Sequence, residues 1–91
     1  MGTKELLIDK LQSELSFKEY QRDSKWFLNH IDRLVTEYSF LKIGAKIKTT
    51  IGNEVTICTI KGFIINKGLL SPGILVETNF GNVFYYETKK L

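Results

Sequence analysis

The period of the hydrophobic residues changes once along this chain, between Leu41 and Gly44, and that change limits the fold more than any other feature. Before it, apolar residues recur every three to four positions, as on a helix face. After it they alternate, as on a strand. Charge divides at the same place, with six Lys/Arg against seven Asp/Glu in residues 1–40 and seven Lys against three Glu in residues 41–91. The expected class is therefore α+β, with an N-terminal helical arm or hairpin (1–40) followed by a small C-terminal antiparallel β-barrel of four to five strands (43–91). The two parts are expected to make one compact domain.

In the helical half, Thr3 is a candidate N-cap, and Leu7, Ile8, Leu11 and Leu15 mark one amphipathic helix over about 4–15. Ser16-Phe17-Lys18-Glu19 then reads as a capping box, in which a serine side chain and a glutamate three residues on each satisfy a free amide. A second helix over 17–38 should follow at a tight corner. On a 100° wheel centred on Ile31, the side chains of Phe17, Tyr20, Phe27, Leu28, Leu34, Val35 and Tyr38 fall within about 60° of it, interrupted only by Ser24. Asp23-Ser24 could act as a further cap and split the helix. Unbroken, it is about 33 Å long, more than a 50-residue barrel can cover. The first helix folding back is the internal candidate to cover the overhang, and self-association through these helices is another.

Beyond Gly44, Ala45, Ile47, Thr49 and Ile51 share one face of a strand and Lys46, Lys48 and Thr50 the other. Gly52-Asn53 marks a turn. Glu54 to Ile65 reads as a long strand whose phase slips, because Val55 and Ile57 share one face while Ile60 and Ile64 share the opposite one. A bulge or bend near Thr59 or Gly62 would reconcile them. A loop over 67–73, a strand over 74–78, a turn over 79–82 and a strand over 83–87 complete the pattern. This order of elements, with Gly44 opening the first strand and a Gly-containing turn before the last, resembles the SH3-like barrel shared by Tudor and KOW modules. The resemblance covers residues 43–91, and it implies a fold without implying a function, because such folds host many roles.

Ninety-one residues bury only about 60 to 65% of the surface of the unfolded chain, so stability is expected to be modest or shared with a partner. The single cysteine, Cys58, cannot form an internal disulfide, and no Cys/His spacing suggests a metal site, which points to a reducing, cytoplasmic setting. No signal peptide, membrane span or myristoylation motif is expected; position 6 is Leu where that last motif wants Ser or Thr. No cofactor is expected either, since a phosphate-binding lysine loop, a dinucleotide glycine pattern and a His-Glu metal motif are all missing from the sequence.

Catalysis finds little support. The one histidine, His30, lies on the flank of the second helix with no evident nucleophile, and Glu77 with Glu87 is a pair of strand glutamates more in keeping with solvation. Two binding surfaces remain. Trp26 sits about 140° from the apolar centre of its helix, on a face with His30, Arg33 and Glu37. That placement fits an interface anchor for a partner protein, or core if the first helix folds over it or the second breaks at Ser24. Alternatively, Lys46, Lys48 and Lys61, with Lys42 and Lys67 nearby and Tyr86 for stacking, would suit nucleic acid. Both arginines, Arg22 and Arg33, lie in the helical half, which argues against base-edge readout by the strands.

The expected function is that of a non-catalytic binding protein: an adaptor, subunit or inhibitor of a larger complex. A Lys-, Ile- and Asn-rich composition suggests an AT-rich bacterial or phage genome, hence a small accessory or anti-defence protein of a phage or mobile element. The alternative is a nucleic-acid-binding barrel.

Overall fold

Two helices precede five strands in a computed structural model that describes residues 2–67 and 73–91. Helix α1 spans Thr3–Glu14 and α2 spans Phe17–Glu37. The strands are β1 (Lys46–Ile51), β2 (Glu54–Asn66), β3 (Gly73–Thr78), β4 (Gly81–Phe84) and β5 (Lys89–Lys90), with one 3-10 turn at Tyr85–Glu87. The α+β class is as the periodicity implies. Most of the expected loop at 67–73 lies outside the described residues.

The corner between the helices follows from the capping box. Ser16 Oγ accepts from the Glu19 amide at 3.2 Å, and Glu19 Oε1 accepts from the Ser16 amide at 2.9 Å. Lys67 reaches over this corner, donating to the Glu14 carbonyl at 2.9 Å and lying 3.4 Å from Glu19 Oε1. At the other end Thr3 is not the N-cap. Gly2 is, without a side-chain cap, and the Thr3 hydroxyl instead donates to the Leu41 carbonyl at 3.3 Å. The hydroxyl thus ties the start of α1 to the segment that leads into β1.

Helix α2 runs unbroken through Ser24. Its stripe is buried at Phe27, Ile31 and Leu34, while Tyr20, Leu28, Val35 and Tyr38 pack against the core in part. Phe17 departs from the expected stripe and is exposed, since it opens the helix at the corner. Helix α1 folds back along α2, buries Leu7 and Leu11, and places Lys4 Nζ 3.5 Å from Asp32 Oδ1. Such an exposed pair adds little, ~0–1 kcal/mol.

The sheet is antiparallel throughout, in the order β4-β3-β2-β1-β5, so that β4 and β5 are its ends. Register explains the burial. Ile47 pairs with Cys58, Ile60 with Thr78, Phe63 with Val76 and Ile65 with Ile74, and all eight side chains are buried. The bulge expected near Thr59 or Gly62 is at Lys61: pairing jumps from Ile60↔Thr78 to Gly62↔Glu77, leaving Lys61 without a partner in β3. It does not bring Val55 and Ile57 to the face of Ile60 as expected, because it lies beyond all three; Val55 and Ile57 stay exposed while Ile60 is buried. One extra residue there lets the even-numbered Cys58 and Ile60 and the odd-numbered Phe63 and Ile65 face the same core. The first half of β2 pairs with β1, the second with β3.

The hairpin turns are set by glycine. Gly52 holds φ +65° with a negative φ at Asn53, the combination of a two-residue type II′ turn. The last part of the chain departs from the expected strand over 83–87. Strand β4 ends at Phe84, and Tyr85–Glu87 turn inward as a 3-10 turn before β5. The turn is fixed by Thr88, whose buried hydroxyl donates to the Tyr85 carbonyl at 2.6 Å.

Among the described residues, fifteen buried hydrophobic ones form one cluster that draws on both helices, β1, β2, β3, Leu41 and Tyr85. Among the described residues, no helix is long and apolar enough to cross a membrane.

Candidate functional site

Tyr85 organises the first candidate site. The 3-10 turn drives its ring beneath α2, where it is fully buried, and its hydroxyl meets His30 Nδ1 at 2.6 Å. Tyr38, at the end of α2, packs edge-on to the same ring with centroids 5.3 Å apart. Above His30 lies Trp26, its ring 4.2 Å from the imidazole and 4.9 Å from the Phe27 ring, which it meets edge-on. Each such aromatic pair contributes about 0.5–1.5 kcal/mol beyond the area it buries. The indole is therefore fixed from below and beside, yet 40% of Trp26 is accessible. One turn further on, Arg33 Nε donates to Glu37 Oε2 at 2.8 Å. Trp26, His30, Arg33 and Glu37 lie along the same side of α2, as the wheel predicts.

The electrostatics of this site leave it uncharged at its centre. Burial, helped by the positive charge of Arg33, lowers the pKa of His30, so the imidazole is neutral near pH 7. Burial raises the pKa of Tyr85, with Arg33 opposing it, so the phenol keeps its proton. A neutral imidazole protonated at Nε2 accepts the phenol proton at Nδ1, a tautomer assigned here from the hydrogen bond. His30 packs against the indole, and the Tyr85 hydroxyl holds His30 from the other side.

The second candidate surface is the outward face of β1. Lys46, Lys48 and Thr50 are exposed there, and Lys48 stands opposite Ile57 of β2 on one side and Lys89 of β5 on the other. Lys46, Lys48 and Lys89 make no ion pair among the described residues. The other members of the expected nucleic-acid set sit apart from this row. Lys61 is the bulge residue of β2, and the half-exposed Tyr86 stacks on Phe84 with centroids 5.3 Å apart and planes within 10°. Tyr85 is buried and Tyr86 exposed, adjacent in a 3-10 turn and not in a strand. Lys89 was missed by the sequence reading, because two strand residues after a turn give no periodic signal.

Glu77 lies on β3 opposite Gly62 and Asn82, and Glu87 lies in the 3-10 turn, with no hydrogen bond between them. Among the described residues no three His, Cys, Asp or Glu side chains gather as metal ligands. Cys58 is buried and free. Comparisons with protein-family models, with curated proteins and with solved structures find no match for this chain.

Proposed function

We propose that this chain is a non-catalytic binding protein, an adaptor, subunit or inhibitor that engages a partner protein through Trp26, His30, Arg33 and Glu37. One observation carries this reading: an accessible indole held in a fixed orientation by His30 and Phe27. Tryptophan and arginine are among the residues enriched in interface anchors, and a ring already packed against its neighbours has less freedom to lose on binding. Substituting Trp26→Ala tests it. The variant should keep its cooperative melt and lose partner capture from the native host; a variant that cannot fold would make Trp26 a core residue and end the proposal.

For residues 43–91 we propose an SH3-like barrel. The supports are the adjacency of β5 to β1, the sharing of β2 between two hairpins at a bulge, and the 3-10 turn between β4 and β5.

A nucleic-acid reading draws on Lys46, Lys48 and Lys89, which make no ion pair among the described residues. Phosphate contacts release counterions, so affinity for single-stranded RNA or DNA would fall steeply with salt. No binding at low salt removes that reading.

A further inference from the structure

Residues 54–59 of β2 have a strand on one side only, because β1 pairs with them and β3 takes over at Ile60. The direction of the backbone groups there is settled at both ends. Ile60 donates to the Ala45 carbonyl and accepts from the Gly44 amide, so its groups point toward β1. Alternation then aims Cys58, Thr56 and Glu54 at β1 and Thr59, Ile57 and Val55 away from it. Thr59 is satisfied by Asn79, whose Oδ1 accepts the Thr59 amide at 2.8 Å and whose own amide donates to the Thr59 carbonyl at 3.2 Å. Asn79 thus stands where the first residue of a further strand would stand. Past it, the amides and carbonyls of Val55 and Ile57 have no partner among the described residues.

Proteins ordinarily blunt such an edge with lysine, proline or a bulge. This stretch has none of them: Val55 and Ile57 occupy the edge positions and are 69% and 54% exposed. Phe80, next to Asn79 in sequence, is 57% exposed. The face that continues from the edge is basic. Lys48 stands beside Ile57, with Lys46 on the same face and Lys89 one strand further. Glu87 borders the same shallow groove as Lys48, Val55 and Lys89 without pairing with either lysine, and leaves the surplus positive.

We propose that the edge of β2 at Val55 and Ile57 receives an extended, acidic segment of a partner protein, which adds as a further strand with its carboxylates toward the lysine face. Backbone groups supply the pairing, Val55 and Ile57 the apolar contact, and Lys46 and Lys48 the selection for acid. A second copy of this chain suits the edge less well, since it would extend the sheet with a second set of lysines. Nucleic acid suits it less well too, because β1 and residues 54–59 carry no aromatic side chain for bases to stack on, and Phe80 adds a single ring beyond one end of the edge. The surface is separate from the Trp26 face, and the two readings stand or fall independently.

The test is an amide-resolved NMR titration of the full chain with a synthetic peptide of alternating Glu and Val. Comparison peptides are the Lys/Val counterpart and a Glu/Val peptide N-methylated on alternate residues. Saturable shifts at the Val55, Ile57 and Asn79 amides are expected, with binding about tenfold weaker for the Lys/Val peptide and abolished by N-methylation. Lys48→Glu should weaken the Glu/Val peptide by about tenfold, and Ile57→Pro, which deletes a donor pointing away from β1, should abolish binding. Trp26→Ala should leave it unchanged. If Ile57→Pro fails to fold, the N-methylated peptide still decides. Equal binding of both charge types, shifts confined to other strands, or no binding would overturn the proposal. So would a dimer formed through this edge without peptide, or a single-stranded oligonucleotide or anionic vesicle that shifts the same amides more strongly.

Discussion

His30 Nδ1 lies 2.6 Å from the Tyr85 hydroxyl, a contact across 55 positions that joins the flank of α2 to the turn after β4. It completes the hydrogen bonding of a phenol whose ring is fully buried, and among the described residues no buried side-chain nitrogen or oxygen lacks a partner. Removing the hydroxyl with Tyr85→Phe should cost about 0.5–1.5 kcal/mol in urea unfolding, the usual net worth of such a bond. The ring packing should survive, and the Trp26 emission maximum should shift as the imidazole below it is freed.

The same contact sets a pH dependence. The pKa of His30 is lowered from its ordinary 6.5, so the unfolded chain takes up a proton before the folded one does. The contribution of neutral His30 to stability is complete above about pH 6.5 and is lost as pH falls from there toward the lowered folded value. Unfolding free energies measured between about pH 7.5 and 5 should decline for the parent protein and decline less for His30→Gln. Direct titration of the imidazole by NMR gives the folded value independently.

Ile31 is the centre of the α2 stripe and has no accessible surface. Ile31→Ala should cost about 2–5 kcal/mol, a large part of what a domain of this size has, and lower the melting temperature accordingly. An Ile31→Val substitution, about 0.5–1.5 kcal/mol, separates lost packing from lost folding.

Ser16→Ala removes one arm of the capping box and should destabilise by about 0.5–2 kcal/mol in chemical denaturation. The Glu19 carboxyl has its pKa lowered from 4.5, first by the Ser16 amide and then by the Ser16 hydroxyl. Its contribution is present above about pH 4.5 and is lost as pH falls below it; the Glu19 pKa should rise toward the ordinary value in Ser16→Ala, as read by carboxyl NMR.

At Gly52 the φ of +65° meets open space, so only the backbone objects to a side chain there. Gly52→Ala should cost about 1–2 kcal/mol, measured by thermal melting, while Gly52→Asn should cost less.

Where the sequence was legible, the information was local. The Ser16/Glu19 box, the Phe27-Ile31-Leu34 stripe, the Gly52-Asn53 turn and the bulge in β2 each depend on neighbours a few positions away, and each is found in place, although the bulge aligns Cys58 and Ile60 with Phe63 and Ile65 and leaves Val55 and Ile57 outside. Thr3 and residues 85–87 were misread because their roles depend on distant groups: Leu41 captures the threonine hydroxyl, and Thr88 folds the two tyrosines into a turn whose ring goes under α2. The same holds for the candidate sites. The wheel placed Trp26, His30, Arg33 and Glu37 on one side, but nothing in the spacing pointed to Tyr85 as the residue beneath them. Lys46 and Lys48 were visible as a strand face, whereas their alignment with Lys89 depends on a register across 41 positions.

A single strand belongs to both hairpins, and the bulge at Lys61 is where one ladder hands over to the other. The thiol of Cys58 lies just before that bulge and is buried. Its rate of alkylation therefore reports the opening of the β1–β2 ladder, a built-in gauge that needs no added label.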